Sequence, residues 1–167
     1  MIMLFRRLIP KIVVENTDTP NSPRFRAILT RSYNPFRVIG DPISQIVIQQ
    51  SNLVDEIMLI HRNRSQFDSS FCNLVLESCE VLNTPLTIGG AIASPAQAKM
   101  IFDAGADKVI IGRQRGNLDL LESIATNHGA QSLVISIDYS ATDTLSGFEE
   151  FWERELSLGY LKLAGAI

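Results

Sequence analysis

The sequence predicts an α/β protein built on a parallel sheet covered by helices, and three observations carry that expectation. Residues 84–112, TPLTIGGAIASPAQAKMIFDAGADKVIIG, read as strand, glycine pair, helix and strand, a βαβ unit whose right-handed crossover makes its strands parallel. The same alternation of a short apolar run with a helix-period segment recurs along the rest of the chain. The strands are near-continuously apolar, as strands buried on both faces are.

The first strand is Arg7–Val14 (RLIPKIVV). Residues 15–37, ENTDTPNSPRFRAILTRSYNPFR, are rich in Pro, Asn and Ser and read as a long loop with room for a short hairpin at Phe25–Leu29. The first helix follows Gly40-Asp41-Pro42, a cap residue and then a proline where its missing N–H costs nothing, with Ile43, Ile46 and Val47 on one face. Glu56–Ile60 is the second strand. The second helix starts near Ser69-Ser70 and carries Phe71, Leu74, Val75 and Leu82. The third strand, Leu86-Thr87-Ile88, stops at Gly89-Gly90. Ser94 and Pro95 open the third helix, Ala98, Ile101 and Phe102 face inward, and Gly105 ends it. Lys108–Gly112 is the fourth strand. The fourth helix runs from Asn117, with Leu118, Leu121, Ile124 and Ala125, to Gly129. A fifth strand (Ser132–Asp138), a fifth helix (Phe148–Leu158) and a sixth strand (Tyr160–Ala164) complete about six strands and five helices in one domain over residues 1–167.

Composition narrows the function classes. The 167 residues are 46% hydrophobic and 20% charged, ordinary for a globular domain. A net charge of −3 offers no basic surface to nucleic acid. No apolar run approaches the roughly 20 residues that span a bilayer, and no signal peptide precedes the first strand, so a cytoplasmic protein is expected. Cys72 and Cys79 lie roughly 10 Å apart along one helix, too far for a disulfide, and read as core or half-buried thiols. No His/Cys/Asp group has metal-ligand spacing, and no cofactor is expected. His61 reads as an exposed loop histidine, and His128 as a helix-terminal imidazole that suits the dipole. Trp152 is expected to pack with Phe148 and Phe151. Backbone N–H groups freed at Gly89-Gly90, beside a helix start, are placed to hold a phosphate.

RRLIP, FRVIGDPIS, VDEIMLI, PLTIGGAIAS, AGADKVIIG and SLVISID occur in that order. Together they resemble the (β/α)8 barrels of histidine biosynthesis, above all the cyclase subunit of imidazole glycerol phosphate synthase, over nearly the whole chain. The IGDP form of the first helix entrance also resembles a branch associated with amidination of bacterial surface sugars. The resemblance implies an incomplete (β/α)8 barrel, since a complete one takes about 250 residues. The chain is expected to be truncated after the sixth strand. Loss of the last two strands would remove one phosphate grip, and open edges on the first and sixth strands would favour a homo-oligomer.

The resemblance also implies a lyase-type cyclase whose two carboxylates act as general acid and base on a phosphorylated small molecule. Asp138 matches the member on the fifth strand, or is a plain strand-end carboxylate. The member on the first strand is Val13, which cannot move a proton. Glu15, two residues on and pointing the same way, is a displaced candidate. The family phosphate turn corresponds to Gly89, Gly90 and Ala91, and Gly112-Arg113 replaces a polar pair. Arg113 either grips phosphate bidentately or, with Arg115, forms a solvated loop. The family lysine after the first strand has only Leu29, Thr30 or Arg31 opposite it.

At the other end, a charged ring gates ammonia from a glutamine amidotransferase partner in the family. Arg7, Glu56 and Lys108 match three members, Lys162 stands where the fourth is a Glu, and Asp107 matches a partner-facing residue. The alternative is that strand starts are simply polar, with compensated charges. Three readings follow: a cyclase component, a non-catalytic partner-binding relative, or an inactive truncated product.

Overall fold

The helices begin where capping chemistry places them. The computed structural model describes residues 6–17, 25–31, 34–62 and 67–137. In α1 (Pro42–Ser51) the Asp41 carboxylate accepts the Ser44 N–H at 2.7 Å. In α3 (Pro95–Asp103) the Ser94 hydroxyl accepts from Gln97 N at 3.3 Å, and in α4 (Leu118–His128) Asn117 accepts from Leu120 N at 3.2 Å. Each cap satisfies a backbone donor that the first turn leaves unpaired. The start of α2 (Phe71–Val81) is held differently: Asp68 accepts from the N–H and the hydroxyl of Ser70, at 2.8 and 2.5 Å.

The strands are β1 (Lys11–Asn16), β2 (Phe25–Arg31), β3 (Asn34–Gly40), β4 (Ile57–His61), β5 (Leu86–Gly89), β6 (Lys108–Ile111) and β7 (Leu133–Ile135). They form one sheet in the order β3-β2-β1-β4-β5-β6-β7. β1, β4, β5, β6 and β7 pair in parallel, as the βαβ pattern requires, while β2 and β3 pair antiparallel. One face of the parallel strands, with Val14, Ile57, Leu59, Ile88 and Val109, packs against Ile46, Phe71, Val75, Ile101 and Leu121 of the helices to make the core. The result is an α/β half-ring: successive βα units with their helices in one layer, and no closure among the described residues.

Three expectations need correction. β1 starts at Lys11, not Arg7, because Leu8 and Pro10 use their carbonyls to hold the approach to β4, accepting from Asp55 N at 3.0 Å and Met58 N at 2.9 Å. Residues 25–40 are not a loop with a short hairpin but two full strands. β2 buries Phe25, Ala27 and Ile28, whereas β3 is almost wholly exposed and carries no apolar periodicity to read. As a result the expected open edge of the first strand is covered over Val13–Asn16, where β2 pairs in the register Val13↔Ile28 to Asn16↔Phe25. The expected fifth helix, sixth strand and Trp152 lie outside the described residues.

Candidate functional site

At the carboxyl ends of the parallel strands lies a cleft of about 660 Å³. Val13, Met58, Ile60, Ile110 and Val134 give it an apolar wall, and Gly89, Gly90, Ala91, Gly112, Arg113, Arg62 and Arg115 line it as well. The glycine pair is there for close approach. A Cβ on Gly89 would meet Ile60 Cδ1 at 2.8 Å, and one on Gly90, at φ +142°, would meet His61 Cβ at 2.8 Å and its carbonyl oxygen at 2.9 Å. Ala91 follows at φ +49°, a left-handed conformation that costs a non-glycine residue about 1–2 kcal/mol. Across the cleft, Gly112 and Arg113 precede Arg115, whose Nη1 donates to the Gly112 carbonyl at 3.4 Å.

The carboxylate candidates part company. Val13 lies on the cleft wall, with no titrating group of its own. Glu15, farther along the same strand, is engaged: its Oε1 accepts from Arg26 Nε and Nη2 at 3.0 and 2.8 Å, and its Oε2 accepts from Arg62 Nη1 at 3.1 Å. Asp138 lies outside the described residues.

His61 is not the exposed loop residue expected. It closes β4 at 4% exposure, its ring stacked on Phe71 at 5.0 Å and met by the edge of Phe25 at 5.5 Å. Asn16 donates through Nδ2 to Asp68 at 2.7 Å, which turns its amide oxygen toward His61 Nε2 at 2.6 Å. An amide oxygen only accepts, so the imidazole donates from Nε2. Burial lowers the His61 pKa against the opposing pull of the Asp68 charge. Burial works to raise the Asp68 carboxyl, but the hydrogen bonds from Ser70 and Asn16 outweigh it and hold it low. Sequence reasoning missed this group because its members are scattered over three elements, and only the burial of Phe25 and Phe71 hints at it.

The opposite end of the sheet collects a second set. Glu56, with its side chain 3% exposed, accepts from Arg7 at 2.5 Å and Lys108 at 2.6 Å through one oxygen, and from the Thr87 hydroxyl through the other. Burial tends to raise this carboxyl. The hydrogen bonds from Lys108, Thr87 and Arg7, with the Lys108 charge, prevail and keep it below the ordinary carboxylate value. Thr87 went unnoticed in the sequence because it lies inside an apolar strand. Asp107 accepts the Leu86 N–H at 2.8 Å, fastening the start of β5, and Lys162 lies outside the described residues.

Cys72 and Cys79 are free and half-buried, and burial pushes both thiols up. His128 ends α4 stacked on Phe102 at 4.0 Å. Among the described residues no three His, Cys, Asp or Glu side chains are grouped to hold a metal ion, and no helix is long and apolar enough to cross a membrane.

Comparison with known proteins bears on the family of the chain. Residues 30–166 match the model of a family described as histidine biosynthesis protein. A Prochlorococcus marinus protein provisionally named imidazole glycerol phosphate synthase subunit hisF2 is 35% identical over 146 residues, covering 86% of this chain and 56% of its own. The imidazole glycerol phosphate synthase subunit HisF of Dictyoglomus turgidum is 33% identical, covering 81% of this chain and 52% of its own. That of Lactococcus lactis is 29% identical, covering 89% and 55%. The chain thus spans about half the length of the curated relatives it matches. With parallel βα units, a glycine turn at the strand ends and a family match over most of its length, the chain belongs to the histidine biosynthesis protein family.

Proposed function

We propose that this chain is a cyclase component of the imidazole glycerol phosphate synthase type, taking ammonia from a glutaminase subunit at one end of the sheet and a phosphosugar-nucleotide-derived substrate at the other. The observation that supports it most is the two-ended layout. Arg7, Glu56 and Lys108 meet where the strands begin, and Gly89, Gly90, Ala91, Gly112 and Arg113 line a cleft where they end. Apolar side chains of the same strands lie between the two. In this reading the glycine turn binds phosphate through backbone N–H groups and Arg113 adds a charge-assisted grip. The Arg7–Glu56–Lys108 cluster admits neutral ammonia and, with its excess positive charge, repels ammonium. Asp138 is the proton-transfer group, acting without a carboxylate at Val13.

The experiment is consumption of the cyclase substrate driven first by an ammonium salt and then by glutamine with a glutaminase subunit. Slow turnover is expected, because loss of one member of an acid–base pair typically costs about 10²–10⁴ in rate. Asp138→Asn should remove what remains. Robust turnover untouched by that substitution would overturn the assignment.

One observation favours a second reading, a partner-binding relative without catalysis. Val13 is apolar, and both carboxylate oxygens of Glu15 are already engaged by the guanidiniums of Arg26 and Arg62. Capture of the glutaminase subunit that depends on Glu56, with no turnover under either nitrogen source, selects it.

A further inference from the structure

We propose that Arg26, Glu15 and Arg62 form an additional anion site on the rim of the cleft, occupied in this structure by the Glu15 carboxylate and suited to a phosphate monoester group. The proposal rests on the phosphosugar reading above and adds a grip that the glycine turn does not supply.

The two cations come from the strands on either side of β1. Arg26 stands directly opposite Glu15 in the β1–β2 register. Arg62 follows His61, the residue that pairs with Val14 at the end of β4. One oxygen of Glu15 takes two N–H groups of Arg26 and the other takes one from Arg62, so the carboxylate is clasped from both sides. The side chains of Arg26 and Arg62 are 45% and 35% exposed, which leaves the site open to a ligand.

Position ties the group to the cleft. The His61 carbonyl lies 2.9 Å from where a Gly90 side chain would begin, so Arg62 borders the glycine turn, and it also lines the cleft. Guanidiniums bind phosphate in the same forked way as carboxylate, and a phosphate offers more acceptor oxygens and more charge. Part-exposed ion pairs of this kind contribute little to stability, so their exchange for a ligand leaves the fold intact. Glu15 is then an internal competitor that a phosphate must displace.

As an internal competitor, Glu15 should oppose anion binding while Arg26 and Arg62 support it. Calorimetric titration of the whole chain with inorganic phosphate and with ribose 5-phosphate, at fixed ionic strength, should show Glu15→Gln binding tighter by roughly fivefold. Arg26→Met and Arg62→Met should each bind roughly fivefold more weakly. Glu15→Ala, expected to tighten binding as well, serves if the glutamine variant does not fold. Unchanged or weaker binding in a folded Glu15 variant overturns the proposal, as does the absence of phosphate binding in both the natural chain and that variant. If Arg113→Met weakens binding while Arg26→Met, Arg62→Met and Glu15→Gln have no effect, the glycine-turn reading stands and this additional site does not.

Discussion

Glu56 shows how one carboxylate can anchor the start of a sheet. Its hydrogen bonds to Arg7, Thr87 and Lys108 reach three separate segments, and it is almost fully buried. Glu56→Gln would leave Lys108 half-buried without its counter-charge, so a loss of about 3–5 kcal/mol is expected in urea unfolding. A loss within the scatter of surface substitutions would show the cluster to be solvated. Among the described residues His61 sets the upper part of the pH response, and Glu56 together with Asp68, whose carboxyl is also held low, sets the lower part. His61 has its folded pKa lowered from an ordinary 6.5, so the unfolded chain binds a proton before the folded one does. Its contribution is complete above pH 6.5 and declines as pH falls below it. Glu56 is also held low, so its contribution is present above its ordinary 4.5 and is lost as pH falls through the folded value. Stability should therefore fall in two stages on acidification, and His61→Gln should erase the upper one. A single stage near pH 4, the same in both proteins, would contradict the burial of His61.

Helices and parallel strands were legible at the scale of the element because their signals are local. Asp41-Pro42 and Ser94-Pro95 announce α1 and α3 within two residues, and each cap is used as expected. Asp41→Ala and Ser94→Ala should each cost about 0.5–2 kcal/mol in thermal or denaturant unfolding, and no measurable change would mean that the first turns hold without them. The β2–β3 hairpin was legible only as a short hairpin at Phe25–Leu29, far less than its extent. Its outer strand buries only part of Ile39, and its pairing shifts register between Ala27 and Ile28 and between Leu29 and Thr30, which breaks any two-residue pattern. The glycine turn after β5 was read from its glycines alone, and the structure adds the steric reason for them. Gly90→Ala would drive a methyl into the backbone of His61 at a φ that only glycine adopts readily, so a loss of at least about 2–3 kcal/mol is expected from denaturation. A neutral Gly90→Ala would mean that β4 and β5 can separate freely at that point. The Asp68–Asn16–His61 and Arg26–Glu15–Arg62 groups join residues far apart in sequence, and no spacing rule reaches them.

For the whole molecule, the expectation of self-association shifts with the edge that carries it. β1 is covered over Val13–Asn16, and among the described residues the outermost strand on that side is β3, where Phe36 is 69% and Val38 47% exposed. Light scattering should find dimers or larger species, and a single 18.5 kDa species at high concentration would count against it. The hairpin also bears on topology. A closed ring of strands is a cyclic order, and every member must give one flank to its predecessor and the other to its successor. Over Val13 and Val14, β1 has given one flank to β4 and the other to β2. A newcomer running parallel could meet β1 there only by peeling the hairpin away, whereas β7 stands at the other end of the order. The hairpin is a stopper for the far end of β1 alone: among the described residues it occupies the flank over Val13–Asn16 and leaves Lys11 and Ile12, where a ring would have to close.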